Sequence, residues 1–336
     1  MLALFFEGRA FAGTADKPLG KEAVGNPAVI CFTENLLPEN VMRSIAQQTV
    51  SPMTTFLAPG SDGASFDIRY FTPNGTEVDL CGHATLVATY FIKNFVSEAT
   101  NFTLNIKPSF HTSRFALVGE ALPDGVAVST RAYTSIPYTA TAITDRIVEA
   151  MGLNVENVER IYETELKDYI FILRSNEDLR KAQPDFDAII RATAKDLPHR
   201  VLTVSAPSTE PGFDYESRVF IPLLGINEDI ACGSANCSLA PIWAANKNKE
   251  TVKMFYCTPD EKNEVTIGGI QEITVEKDRV QISSNVIPSW SRCLTFATPS
   301  SLTASKAFQA VLKKVSQTLH IPLPEGRGFD FLEASE

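Results

Sequence analysis

The stretch "DLCGHATLVATYFI", from Asp79 to Ile92, places a Cys-Gly pair directly before an apolar run that is typical of a buried helix. A second stretch, "IACGSANCSLAPIWAA" from Ile230 to Ala245, repeats the arrangement about 150 residues later. Each is preceded and followed by short segments with the alternating pattern of strands. The order predicts a duplicated α+β unit, in which two related helices, each opened by Cys-Gly, face one cleft.

The segment "SIPYTATAITD", Ser135 to Asp145, interrupts the strand pattern between the two copies. We therefore place a domain boundary near residue 130. The predicted divisions are residues 1–130 and 131–298, followed by an extension at 299–336. In that extension, "SLTASKAFQAVLKKVSQTLH" has apolar residues at helical spacing, which predicts an amphipathic helix used for core packing or a subunit contact.

Composition excludes several classes of function. The 336 residues are 44% hydrophobic and 21% charged, as in a soluble globular protein. The net charge of −10 disfavours a nucleic-acid partner. No apolar stretch approaches the length of a membrane span, and the start reads as a first strand rather than a signal peptide. We expect a cytoplasmic protein without a membrane partner.

Cysteines and histidines show no metal-binding pattern. The six cysteines include no CxxC pair, and the four histidines are scattered without ligand spacing. We expect no metal and no structural disulfide. Most of the cysteines should be small buried hydrophobes, and any catalytic role must be weighed against that simpler interpretation.

A cysteine at a helix start has distinctive chemistry. The first turn carries unsatisfied N–H groups and a partial positive charge, so it binds carboxylates and favours a thiolate. The glycine that follows lets a ligand approach the backbone. If Cys81 and Cys232 face each other, one could remove a proton from a carbon acid while the other donates one to the opposite face. That arrangement inverts a stereocentre without a cofactor.

Three stretches resemble the PhzF-like family of phenazine-biosynthesis proteins, which belongs to the diaminopimelate epimerase-like superfamily. They are "VGNPAVI" (Val24–Ile30), "YFTP...EVDLCGHATL" (Tyr70–Leu86) and "SRVFIPLLGINEDIACGSANCSLAPIWA" (Ser217–Ala244). The resemblance implies two pseudo-symmetric domains, each a curved antiparallel sheet or barrel around a central helix. It also implies an active site in the cleft between them and a homodimer.

Two departures from the family pattern bear on mechanism. The family usually reads "SETTF", and its glutamate is the proposed acid/base. This chain reads "SPMTTF", with Pro52 and Met53 at those places. The family's "EDPVTGSA" is here "EDIACGSA", so Cys232 replaces a threonine while Asp229 is kept. The "ACGS" motif is similar to the second catalytic motif of diaminopimelate epimerase, and "CGH" at Cys81 resembles the first motif of the proline racemases.

Our leading hypothesis is a cofactor-independent racemase or epimerase that inverts the α-carbon of a small amino-acid-like carboxylate. Cys81 and Cys232 would be the two bases, and Asp229 and His83 would orient the substrate. The other substrate-binding residues of this hypothesis are Gly82, Gly233, Ser234 and Asn26. For Asn26, a turn-stabilising role remains an equal alternative.

Two other hypotheses stay open. One is a PhzF-type isomerase that moves a proton within a cyclic or conjugated substrate through Asp229 and His83. The other is a non-catalytic small-molecule binder, which is favoured by Met53, because methionine cannot transfer a proton.

Overall fold

A computed structural model describes residues 2–13, 17–107, 116–193, 201–259, 264–295 and 305–319. Over these ranges the chain forms eighteen strands and seven α-helices. Main-chain hydrogen bonds join the strands into one large sheet that curves around two buried helices. The α+β class and the pseudo-symmetric architecture are thereby confirmed.

The strands fall into two sets of nine. The first set is β1 (Leu2–Ala10), β2 (Asn26–Phe32), β3 (Thr54–Pro59), β4 (Ser65–Phe71), β5 (Glu77–Val78), β6 (Asn101–Ile106), β7 (Ala116–Leu122), β8 (Gly125–Arg131) and β9 (Ser135–Tyr138). The second set is β10 (Val158–Thr164), β11 (Tyr169–Leu173), β12 (Leu202–Pro207), β13 (Tyr215–Ile221), β14 (Ile226–Glu228), β15 (Thr251–Pro259), β16 (Val265–Glu276), β17 (Arg279–Ser284) and β18 (Val286–Thr295).

The helices are also distributed over both halves. They are α1 (Glu39–Gln48), α2 (Gly82–Phe91), α3 (Ala142–Ala150), α4 (Asn176–Lys181), α5 (Phe186–Thr193), α6 (Asn236–Lys247) and α7 (Lys306–Leu319). No helix of the described ranges is long and apolar enough to cross a membrane.

The strand pairing repeats with an offset of nine strands. In the first half β1 pairs antiparallel with β2, β2 parallel with β3, and β3 antiparallel with β4. Next, β4 pairs antiparallel with β5 and parallel with β6, and β6, β7 and β8 form antiparallel pairs. Strands β10 to β17 repeat every one of these pairings. Each half is therefore mostly antiparallel but includes two parallel pairs, because helices cross over between those strands.

The two halves also exchange their ninth strands. Strand β9 of the first set pairs with β10, and β18 of the second set pairs with β1. Strands β8 and β17 pair with each other and join the halves into one sheet. Although "SIPYTATAITD" was interpreted as a break, its first four residues form β9. Its proline is tolerated because β9 pairs on one side only, with β10, among the described strands. The predicted domain boundaries remain a prediction.

Helices α2 and α6 occupy equivalent central places. Strands β1, β2, β3, β7, β8 and β18 surround α2, and β9, β15, β16 and β17 pack against α6. Eight of the ten residues of α2 are buried, which explains its apolar, non-amphipathic sequence. The sheet therefore holds the first turns of both helices in fixed positions.

The amphipathic helix predicted in the extension is confirmed as α7. Its Phe308, Leu312 and Val315 are buried, and the Phe308 ring stacks on Phe32 with ring centroids 5.6 Å apart. Leu302, another apolar residue of the quoted segment, lies outside the described residues. In this chain α7 therefore packs on the core of the first half.

Candidate active site

The two Cys-Gly turns touch each other through their glycines. A Cβ atom added to Gly82 would lie 2.7 Å from the Cα of Gly233 and 2.8 Å from its carbonyl carbon. A Cβ added to Gly233 would lie 3.0 Å from the Cα of Gly82. These distances are shorter than ordinary van der Waals contact, so only glycine permits so close an approach of the two backbones.

The first of these turns is a helix start, as predicted. Helix α2 begins at Gly82, and the preceding Cys81 is in an extended conformation without capping the helix through its side chain. The first N–H groups of the helix therefore have no partner within the helix. Together with the positive end of the helix dipole, they form a site that favours an anion.

The second turn differs from the prediction. Helix α6 begins at Asn236, not at Cys232-Gly233. Two hydrogen bonds shape the chain just before the helix. The Asn236 N–H donates to the Gly233 carbonyl at 3.1 Å, and the Cys237 N–H donates to the Ser234 carbonyl at 3.2 Å. These i to i+3 bonds make a tighter turn than an α-helix, and the turn presses Gly233 against Gly82. The Cys-Gly pair thus precedes the helix by about one turn.

Both cysteines line a single cavity and have matching polar neighbours. The Cys81 Sγ lies 3.6 Å from His83 Nδ1, and the Cys232 Sγ lies 3.4 Å from Ser234 Oγ. Each partner is two residues beyond its cysteine. Neither cysteine forms a disulfide, and both are more than nine-tenths buried. The structure therefore brings both predicted bases, one from each half of the chain, to one cavity.

Asn26 links the two remaining candidate groups. Its Nδ2 donates to Asp229 Oδ1 at 2.6 Å and lies 3.1 Å from His83 Nδ1 and 3.2 Å from the Ala231 carbonyl. An amide nitrogen can only donate, so a hydrogen bond from Asn26 to His83 requires an unprotonated Nδ1. Burial lowers the pKa of His83, against the opposing effects of the Asp229 charge and a hydrogen bond to the Pro27 backbone. His83 is therefore a neutral imidazole in this site.

The cavity measures about 120 Å³ and lies between the two halves. It is lined by all eight predicted site residues. Met53 also lines it and is 95% buried. The remaining lining residues are Pro52, Thr72, Val78, Leu80, Val201, Ile221, Leu224, Ile226, Glu228 and Ile230.

Two buried ion pairs, which the sequence analysis missed, support the strands that lead to the cysteines. Arg69 on β4 donates to both carboxylate oxygens of Glu77 on β5, at 2.6 and 2.7 Å. Arg218 on β13 does the same to Glu228 on β14, at 2.8 Å for both bonds. Such paired bonds fix the geometry of both groups. Each pair therefore holds the hairpin that ends in one of the two Cys-Gly turns.

A sequence signal for these pairs exists. Both copies read Arg-x-Phe-x-Pro, then Gly, then Glu-x-x-x-Cys-Gly-x-Ala, beginning at Arg69 and at Arg218. The second copy has one more residue on each side of the middle glycine. Aligning the chain with itself from the Cys-Gly pairs would have identified both the arginines and the glutamates.

Hydroxyl groups also hold the carbonyl of each site cysteine. Thr85 Oγ1 donates to the Cys81 carbonyl and Tyr256 OH donates to the Cys232 carbonyl, both at 2.6 Å. Burial raises the pKa of Tyr256 well above its ordinary value, so its hydroxyl remains a donor. These bonds fix the peptide planes from which the Gly82 and Gly233 N–H groups project.

Comparison with known proteins identifies the family. The model of the family described as phenazine biosynthesis-like protein matches residues 16–288. The chain belongs to this family. It is 28% identical over 256 residues to an uncharacterised isomerase of Halalkalibacterium halodurans, covering 76% of this chain and 87% of that protein. It is 33% identical over 225 residues to an uncharacterised isomerase of Pseudomonas aeruginosa, covering 67% and 78%.

A solved structure agrees with this assignment. The PhzF family protein of Enterococcus faecalis superimposes with a TM-score of 0.70 at 26% identity, over 88% of this chain and all of that one. The sequence and structure comparisons thus point to the same family, and two of the relatives found are named as isomerases.

Proposed function

We propose that this protein is a cofactor-independent racemase or epimerase that inverts the α-carbon of a small amino-acid-like carboxylate. The observation that carries the proposal is the pair Cys81 and Cys232, which line one cavity from two turns that touch at Gly82 and Gly233. Two thiols on opposite sides of a carbon acid are the arrangement that inversion by proton transfer requires.

In the proposed mechanism the thiolate of one cysteine takes the α-proton. The electron pair of the broken Cα–H bond moves into the carboxylate, which becomes an enediolate. Backbone N–H groups at Gly82, His83, Gly233 and Ser234 stabilise that developing charge. The thiol of the other cysteine then donates its proton to the opposite face of Cα. Asp229 accepts hydrogen bonds from the substrate's ammonium group.

The roles of the neighbouring groups follow from their contacts. His83, with Nδ1 at 3.6 Å from Cys81 Sγ, would orient the Cys81 thiol in the cavity. Ser234 at 3.4 Å can donate to a Cys232 thiolate. Asn26 keeps Asp229 and His83 at fixed positions through its bonds to both.

A second function is favoured by a specific observation. The Asn26 bridge places Asp229 and His83 side by side, which also suits a PhzF-type proton shift within a conjugated substrate. In that reaction Cys232 would be dispensable, whereas Asp229 would not. A binder without chemistry would show no proton exchange in any substrate.

The test uses reduced protein in deuterated water with L- and D-amino acids, followed by proton NMR of the α-position. We expect exchange with inversion, lost in both Cys81→Ala and Cys232→Ala. The matched control is Cys31→Ala, because Cys31 is buried in a separate core on β2. Unchanged inversion in both site variants would exclude the two-thiol mechanism. Loss in Asp229→Asn with Cys232→Ala tolerated would favour the PhzF-type reaction.

A further inference from the structure

We propose that the substrate carries an apolar, uncharged side chain, and that this side chain binds against one surface of the cavity, here called the apolar wall. The inference rests on the proposed function and names its substrate class. The apolar wall consists of Met53, Val78, Leu80, Ile221, Leu224 and Ile226.

The apolar wall is formed before any ligand binds. Met53, Leu80 and Ile221 are 5–7% exposed and belong to the main hydrophobic core. The other three residues are partly buried and pack against the same core. Their positions are therefore fixed by packing that does not depend on the substrate. Water against such a surface gains few hydrogen bonds, so an apolar group that displaces it binds favourably.

Two polar side chains that line the cavity beside the apolar wall, Thr72 and Glu228, already have hydrogen-bond partners. Thr72 Oγ1 donates to Asn74 Oδ1 at 2.5 Å, and Glu228 receives both of its hydrogen bonds from Arg218. Asp229 is assigned to the substrate ammonium group. Among the described residues that line the cavity there is no lysine or arginine. A charged substrate side chain would lose its hydration here without gaining a partner, which is costly.

The apolar wall is built from both halves of the chain, which suits a reaction that interconverts two enantiomers. Three of its residues come from the first half of the chain and three from the second. When Cα inverts with its carboxylate and ammonium groups held, the side chain swings from one side of the cavity towards the other. Either enantiomer then meets an apolar surface, so neither the substrate nor the product is rejected.

The first experiment compares amino acids that differ only in the side chain. In the deuterium-exchange assay we expect kcat/KM to rise about fourfold for each methylene from L-alanine through L-2-aminobutyrate to L-norvaline. We expect L-leucine to exceed its near-isosteres L-asparagine and L-aspartate by at least 100-fold. Exchange of aspartate, asparagine or lysine within threefold of leucine would overturn the proposal while leaving the racemase function in place.

A binding measurement separates the apolar wall from the chemistry. Titration calorimetry of the reduced protein with acetate, propanoate, butanoate and pentanoate should show affinity rising three- to fourfold for each carbon. If no amino acid exchanges its α-proton but the affinity still rises with chain length, the proposed function fails while the proposal of an apolar wall stands. Affinity that does not depend on chain length would overturn the apolar wall.

A variant pair tests one residue of the apolar wall. Met53→Leu keeps an apolar side chain of similar volume, whereas Met53→Gln is similar in length and polar. We expect the ratio of kcat/KM for L-leucine to that for L-alanine to be about tenfold lower in Met53→Gln than in Met53→Leu. Equal ratios in the two variants, both folded by circular dichroism, would contradict the proposal.

Discussion

Replacing Gly82 with alanine should push the two Cys-Gly turns apart. The new Cβ would meet Gly233 Cα at 2.7 Å, whereas ordinary contact begins near 3.4 Å, so the turns must separate by about 0.7 Å. The atoms in the way belong to the backbone and to a packed turn, which cannot rotate aside. Gly82 does not have a positive φ, so alanine has no backbone strain of its own there.

The sign of the stability change follows from two opposing magnitudes. Alanine is favoured over glycine in helices by roughly 0.5–1 kcal/mol, which would stabilise the first turn of α2. Overpacking of a tightly packed site costs about 1–3 kcal/mol. The net loss should be about 1–2 kcal/mol, which lowers Tm by a few degrees in a protein of this size. Because a site cysteine adjoins each glycine, we expect exchange activity to fall by about 10- to 100-fold.

Thermal unfolding and the deuterium-exchange assay measure both effects in the same variants. The matched control is Gly13→Ala, since a Cβ at Gly13 would have no described atom within 4 Å. Gly233→Ala should be intermediate, because the nearest atom to its new Cβ would lie at 3.0 Å rather than 2.7 Å. The reasoning is refuted if Gly82→Ala matches Gly13→Ala in both Tm and activity.

Three further predictions concern stability. Glu228→Gln removes the carboxylate that pairs with Arg218, which is 1% exposed, and should lower the free energy of unfolding in urea by about 3 kcal/mol. The control Glu177→Gln breaks an exposed ion pair and should move the urea midpoint little. Equal shifts in the two variants would contradict this prediction. Because burial lowers the pKa of His83 below its ordinary 6.5, the unfolded chain binds more protons, and the free energy of unfolding should fall as pH drops below about 6.5. His83→Gln should show a weaker fall between pH 7.5 and 5, and an unchanged slope would count against the assignment. Phe308→Ala removes a stacked ring that is 3% exposed and should lower the free energy of unfolding by about 3 kcal/mol. An unchanged urea midpoint would show that α7 does not stabilise the core.

The local parts of the fold could be predicted because their patterns are local. The apolar run after Cys81 specifies α2, and the helical spacing around Phe308 and Leu312 specifies α7. The exchange of β9 and β18 between the halves could not be predicted, since pairing of distant strands leaves no mark in either strand alone. "SIPY" resembles a break because of Pro137, whose tolerance depends on β9 having a single neighbour.

The candidate site was predicted from residue types, but its supports were not. Cys81, Cys232, Asn26, His83 and Asp229 all line one cavity, as the motifs indicated. The predicted start of α6 was wrong by about one turn, because i to i+3 hydrogen bonds between Gly233 and Cys237 make a tighter turn before the helix. The Arg–Glu pairs were missed for a different reason. Charged residues in a sequence usually indicate exposed positions, so nothing about each arginine or glutamate alone predicts a buried pair. Only the alignment of the two copies identifies the four residues.

The central claim is that two different thiols act on opposite faces of one carbon. The most direct measurement is the early distribution of deuterium between product and recovered substrate, starting from each enantiomer of an accepted amino acid in deuterated water. The account predicts deuterium at Cα of the product, with the recovered substrate still protonated at low conversion, and no inversion in Cys81→Ala or Cys232→Ala. Equal labelling of substrate and product from the start, or inversion that survives in either variant, would contradict it.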